Sequence, residues 1–179
     1  MTAAAPYVET CDPSRCPCED ASCTLSRYLR AAGGRTSGVT AMAVVANVDR
    51  AAHALRAHLE RTVLTPHGLT WSGWVVLWVL RTWGETETHT VAAEAGVAKA
   101  TLTGVQRTLT ASGLLARRVH PDDGRRVLLS LTERGQRLVA QVAPELDRAE
   151  AWLVEEMSDA DQLGLVRGLR ALVTRTERR

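Results

Sequence analysis

Four cysteines stand close together, Cys11, Cys16, Cys18 and Cys23, and the chain has no others. Their order is C-x4-C-x-C-x4-C, in a stretch that also holds Pro13 and Pro17, which oppose a helix. Buried structural cysteines are usually scattered, and disulfides are disfavoured in a reducing cytosol. Clustered thiolates are instead good ligands for a thiophilic metal. The stretch lacks the C-x2-C knuckle of structural zinc sites, and its compressed spacing points first to an Fe–S cluster, with zinc as the alternative. Free redox thiols or an inert tail are the remaining readings. Asp12, Glu19 and Asp20 add negative charge that favours a bound cation.

A second group of residues suits a polyanion. Lys99, Arg107, Arg117, Arg118, Arg125 and Arg126 are opposed within their span only by Asp122 and Asp123. The formal net charge of the chain is only +2, so bulk charge decides nothing, but phosphate neutralisation needs local positive charge of this kind. Thr101 and Thr103 lie among these cations and can reach base edges, phosphate or a thymine methyl. A third group is aromatic. Trp71, Trp74 and Trp78 share one helical face, and with His53 they form a candidate small-molecule effector pocket. The competing reading is a tryptophan-rich core in a chain without phenylalanine. The five histidines include no ligand-like i, i+4 pair with an acid between.

These residues need elements to hold them. A short helix is expected near 90–95, stopped by Gly96, and a second over about 98–112, stopped by Gly113. That is helix–turn–helix spacing, with the second helix as the reader of DNA. Lys99, Thr101, Thr103 and Arg107 are its candidate contacts, and Leu102, Val105 and Leu109 should face inward. Strand-like runs come next, over 114–120 and 126–131. The Pro121-Asp122-Asp123-Gly124 stretch between them holds an Asp-Gly hairpin signal. Val127, Leu129 and Leu131 alternate with Leu128 and Ser130, giving one face to bury.

Long helices flank this unit. One is expected over 37–61, with Val39, Met42, Val45, Val48, Ala52, Leu55 and Leu59 as an apolar stripe. The Thr65-Pro66-His67-Gly68 stretch breaks it, and a tryptophan-bearing helix runs from Thr70 or Ser72 to Trp83. Thr132 can cap a helix over 133–156, in which Pro144 predicts a kink or break. Ser158-x-x-Asp161 predicts another start. The last helix carries Leu163, Val166, Leu169 and Val173. Before all of these, 25–32 reads as a short helix and Gly33-Gly34 as a joint.

Taken in order, the Gly-Val-Ala-Lys-Ala-Thr turn, Gly113-Leu114, Asp123-x-Arg125 and Leu131-Thr132-x-x-Gly135 resemble the MarR family of winged-helix regulators. The resemblance covers about 39–175. It implies a mostly α fold with a small β-wing, a winged helix–turn–helix flanked by N- and C-terminal dimerisation helices. It implies that Arg125 enters the minor groove at the wing tip, oriented by Asp123. It further implies a homodimer whose terminal helices, 39–64 and 149–173, interleave across a two-fold axis. A double-stranded palindromic operator would be the partner, and effectors would bind between the dimerisation helices and the DNA-binding domain. Repression is the sign the resemblance favours. The chain departs from the family pattern at Gly104, where a larger polar residue is frequent, and at Thr110, where an acid is often found. The four-cysteine arm lies outside the pattern and bears a loose likeness to the cysteine loop of redox-sensing MerR-class regulators.

The expected organisation is a cysteine-rich arm at 1–34, an N-terminal dimerisation helix at 35–69, the DNA-binding domain at 70–132 and C-terminal dimerisation helices at 133–179. No apolar run reaches membrane-spanning length and no signal-like segment opens the chain, so a cytoplasmic protein without a membrane partner is expected. No C-x2-C redox pair, nucleophile motif or phosphate loop points to an enzyme. A metal carrier or thiol protein is the reading from another class, but it would not need the wing arginines. The regulator is therefore expected to respond to redox state or metal through the cysteine arm, or to a small molecule through the tryptophans.

Overall fold

The computed structural model describes residues 36–178. The four cysteines, the 25–32 helix and the Gly33-Gly34 joint lie outside the described residues. Helix α1 spans Thr36–Leu59 and continues into a wider π-type turn at Glu60–Leu64 and a 3₁₀ turn at Thr65–His67. The chain divides into two compact units at Leu55 and Arg56, within α1. The second unit, Arg56–Arg179, holds the helix–turn–helix and the wing.

Pro66 and the left-handed Gly68 end the helical run, as their chemistry requires. Helix α2, Trp71–Trp83, begins where the Thr70 hydroxyl accepts the Gly73 N–H at 3.1 Å. The Glu60 carboxylate accepts the Trp71 N–H at 2.8 Å, so two side chains cap the same first turn. After Gly84 comes β1, Thr86–Glu87, a strand too short for the sequence to announce. Helix α3, Thr88–Glu94, and helix α4, Lys99–Ala111, form the helix–turn–helix. Both stop at left-handed glycines, as expected. At the second, the Gly113 N–H reaches the Thr110 carbonyl and the Leu114 N–H reaches that of Leu109, both at 2.9 Å.

Strands β2, Leu115–His120, and β3, Asp123–Leu131, make the wing, with β1 on the far edge of β3. The hairpin is present, but its turn differs from expectation. His120 pairs with Asp123, so Pro121 and Asp122 form the connection and Asp-Gly opens β3 instead. A type I′ turn needs positive φ at both central residues, and proline cannot supply it. Gly124 accordingly has no positive φ, and the register slips between Val119 and His120. The alternation over β3 is also incomplete as a burial rule. Leu129 is fully buried, but Leu128 on the opposite face is buried as well.

Thr132 caps helix α5, Glu133–Val154, by accepting the Gly135 N–H at 3.0 Å. The helix runs through Pro144 unbroken, and Pro144 is exposed. Its apolar face delivers Val139, Val142 and Leu146 to the core, beside Leu64, Val76, Leu77, Val91 and Leu129. Helix α6, Asp159–Glu177, starts at Ser158, whose hydroxyl accepts the Asp161 N–H at 3.2 Å and donates to the Asp161 carboxylate at 2.6 Å. No residue of α6 is buried. No helix among the described residues is long and apolar enough to cross a membrane.

Candidate nucleic-acid interface

Helix α4 is amphipathic in the way a groove-reading helix must be. Leu102 and Leu109 are buried and Val105 is half-buried, which fixes the inner face. Lys99, Thr103 and Arg107 recur every fourth residue and form one exposed row on the other side. Thr101 is also exposed, toward the flank of that row. The Thr103 hydroxyl donates to the Lys99 carbonyl at 3.0 Å, which leaves its methyl and an oxygen lone pair outward. Gly104 belongs to the exposed face, and a Cβ there would meet nothing within 4 Å. No close packing among the described residues demands this glycine.

The wing sorts its arginines into two kinds. Successive strand residues point to opposite faces, so Arg117 and Arg118 diverge. Arg118 makes a two-point ion pair with Glu85, its Nε lying 2.6 Å from the carboxylate. Arg126 makes a second one with Glu87, through Nε at 2.9 Å. Glu85 and Glu87 flank Thr86 of β1, so the two pairs clamp that strand to the wing. The Arg118 hydrogen bond pulls the Glu85 carboxyl below its ordinary range, and the same bond raises the Arg118 guanidinium. Arg117 and Arg125, like Lys99 and Arg107, carry no ion pair among the described residues.

At the tip, Asp123 accepts the backbone N–H of Arg125 at 2.9 Å. That main-chain bond orders the chain at Arg125. Arg125 is exposed near the turn end of β3, and its side chain makes no ion pair among the described residues. Of the nine residues expected at a nucleic-acid surface, the structure leaves Lys99, Thr101, Thr103, Arg107, Arg117 and Arg125 outward. It turns Asp123, Arg118 and Arg126 to internal bonds. The partners Glu85 and Glu87 escaped the sequence reading. Their signal was the Glu-Thr-Glu alternation, one acid on each side of a single strand residue.

The cavities formed by the described residues of this unit include two of interest. One, about 270 Å³, is bounded by Trp71, Trp74, Trp78, Leu146, Asp147 and Glu150. Trp74 is in the core, 4% exposed, and stacks on the half-exposed Trp78 with ring centroids 5.6 Å apart. The tryptophan stripe is therefore both core and cavity wall. His53 is exposed on α1. Trp152 stacks on His58 at 5.3 Å. The other cavity, about 440 Å³, is lined by His67, Ser112, Arg134, Arg137 and Gln141 among others, and His67 meets Glu145 at 3.0 Å. Among the described residues no group of three or more His, Cys, Asp or Glu side chains is placed to hold a metal.

A helix–turn–helix with an exposed cationic reading helix and an arginine-tipped β-hairpin defines a winged-helix regulator of transcription. The MarR family model matches residues 69–127. The HTH-type transcriptional regulator YwaE of Bacillus subtilis (strain 168) is 30% identical over 122 residues, 68% of this chain and 71% of that one. BpsR of Bordetella bronchiseptica, whose DNA binding is regulated by 6-hydroxynicotinic acid, is 29% identical with a TM-score of 0.67. The match covers 73% of this chain and 98% of BpsR. NadR, solved in complex with 4-hydroxyphenylacetate, is 26% identical with a TM-score of 0.60, over 72% of this chain and 91% of NadR. The chain belongs to the MarR family. It is a transcriptional regulator of the MarR type, and these relatives are regulators rather than enzymes.

Proposed function

We propose that the protein is a repressor that binds a palindromic operator as a homodimer, and that a small molecule or the cysteine arm sets its affinity. The observation that carries the DNA reading is the geometry of α4 and the wing: outward cations at Lys99, Arg107, Arg117 and Arg125, with Arg118 and Arg126 already paired. In this reading Lys99, Thr101, Thr103 and Arg107 meet the major groove. Arg125 enters the minor groove, where a narrow A·T-rich stretch attracts arginine. Arg118 and Arg126 hold the wing in shape and contribute less to phosphate contact.

The dimer is supported by apolar side chains left exposed on the first and last described helices. Val45 is 63% exposed on α1, and Leu163, Val166 and Val173 are 58%, 46% and 55% exposed on α6. Covering such side chains is worth roughly 1.5–3 kcal/mol for each one fully buried. A two-fold pair would also present two recognition helices to successive major grooves.

The four-cysteine arm adds the redox or metal input. Cys11, Cys16, Cys18 and Cys23 would hold an Fe–S cluster or zinc, and a change of that state would alter the spacing of the two recognition helices. Coupling of this kind requires different contacts in the two states. The tests are direct. Duplexes carrying an inverted repeat should be bound by a dimer, with affinity falling steeply as salt rises. Binding insensitive to salt would sink the DNA reading, and salt-dependent binding by a monomer would sink the dimer. Protein purified without oxygen should show visible absorbance with iron and sulfide, or stoichiometric zinc. Metal content and regulation unchanged by Cys16→Ser with Cys18→Ser would end the sensing role.

A further inference from the structure

The cavity walled by tryptophans carries a charge pattern that its relatives' ligands do not match. Among the described residues its lining includes two carboxylates, Asp147 and Glu150, and no lysine, arginine or histidine. Neither carboxylate makes an ion pair or hydrogen bond with any described residue. Trp71, Trp74 and Trp78 supply the opposite wall, with Trp78 46% exposed although it stacks on Trp74. Asp147 and Glu150 lie three residues apart on α5, on one face, so their negative charges converge on the same space. Desolvation, and then the nearby Asp147 charge, push the Glu150 carboxyl above its ordinary range. Both carboxylates are solvent-exposed as well as lining the cavity, so a cation entering it can reach them.

An aromatic acid, such as the ligands named for BpsR and NadR, would meet two carboxylates there and no compensating cation. A cation over an indole face gains from the ring quadrupole, and most when it is partly desolvated. A volume of about 270 Å³ falls near the lower bound of small-ligand sites, which run from roughly 300 Å³, and suits one ring with a short ammonium arm. We propose that the Trp71–Trp74–Trp78 cavity, with Asp147 and Glu150 as counter-charges, is a binding site for a small organic cation, an aromatic or alkyl amine or quaternary ammonium. The proposal rests on the small-molecule arm of the functional reading above and gives that arm its ligand class.

Calorimetry on the full-length protein with phenethylammonium, benzyltrimethylammonium and phenylacetate tests it, with tryptophan fluorescence as the local readout. The two cations should bind at least about tenfold tighter than phenylacetate and perturb the fluorescence. Asp147→Asn with Glu150→Gln should cut cation binding about tenfold or more and leave the melting temperature at or above wild type. Trp78→Leu should weaken it as well. Equal or tighter binding of phenylacetate, lost in Trp78→Leu, would overturn the charge assignment while leaving the small-molecule reading intact. Cation binding indifferent to all three substitutions would overturn the site. No binding of any of the three at millimolar concentration would overturn both the cation site and the small-molecule reading.

Discussion

The backbone of Gly135 presses against the carbonyl oxygen of Leu114, so that a Cβ at 135 would stand well under 3.0 Å from it. Three further bonds tie the same place. The Thr132 hydroxyl donates to the Gly113 carbonyl at 2.7 Å and to that of Leu114 at 3.2 Å, and the Thr132 N–H reaches Leu114 at 3.1 Å. The end of the recognition helix, the base of the wing and the start of α5 are thereby one knot. This is the physical content of the Leu131-Thr132-x-x-Gly135 pattern. Threonine supplies a cap and a donor, and glycine permits the approach.

Gly135→Ala should therefore destabilise the fold by about 1–3 kcal/mol, because the obstacle is backbone and cannot rotate away. Gly104→Ala is its counterpart. With open space around it and a helical backbone, it should stabilise by up to about 1 kcal/mol. Denaturant midpoints of the two variants check the contrast, and equal shifts would refute it.

Arg125→Ala should weaken operator binding by at least about tenfold with little change in melting temperature. Its side chain has no ion pair among the described residues to lose. Electrophoretic mobility or anisotropy titrations at fixed salt decide this. Wild-type affinity in the variant would remove Arg125 from the interface.

The paired and unpaired wing arginines should separate in salt titrations. Arg117→Ala should lower the slope of log affinity against log salt by about one ion per site contacted. Arg118→Ala should change the slope less and instead loosen β1, seen as faster amide exchange at Thr86 and Glu87. The reverse pattern would mean that Arg118 leaves Glu85 when DNA arrives.

Acid should act on the same clamp. Glu85 has its carboxyl lowered in the folded protein, so its contribution is present above the ordinary carboxylate range and is lost as pH falls through the lowered value. Glu85→Gln should abolish that part of the acid dependence. Glu150 behaves oppositely. Its raised carboxyl makes the folded state less stable once pH climbs past the ordinary carboxylate range. Glu150→Gln should accordingly be neutral or stabilising at pH 7, and thermal melts across the acid range would show both signs.

Much of the fold was legible because it is local. Gly113 at the end of a periodic run, Thr132 three residues before Gly135, and Ser158 three before Asp161 announce helix ends through caps that need only neighbouring residues. Lys99, Thr101, Thr103 and Arg107 were expected outward and Leu102, Val105 and Leu109 inward, and the four are exposed while the three apolar residues are buried or half-buried. The turn of the wing was legible as a turn but not as a type, since Pro121 excludes the geometry that Asp-Gly usually adopts. Pro144 suggested a kink or break, yet α5 runs through it, with the proline on the solvent side and Val142 and Leu146 packed on the other.

The order of elements, their ends and the outward face of the reading helix are thus written into the chain, because hydrogen bonds within a few residues and side-chain periodicity fix them. Which charges are paired and which are free was settled only when distant elements met. Arg117 and Arg118 are adjacent and chemically identical, yet one faces outward alone and the other is held by Glu85, 33 residues away. The same holds for the tryptophan stripe, which became a cavity wall only when α5 brought Asp147 and Glu150 against it. Pairings of that kind depend on β3 offering an edge to β1 and on two helices meeting at a set angle, and no local pattern of residues encodes them.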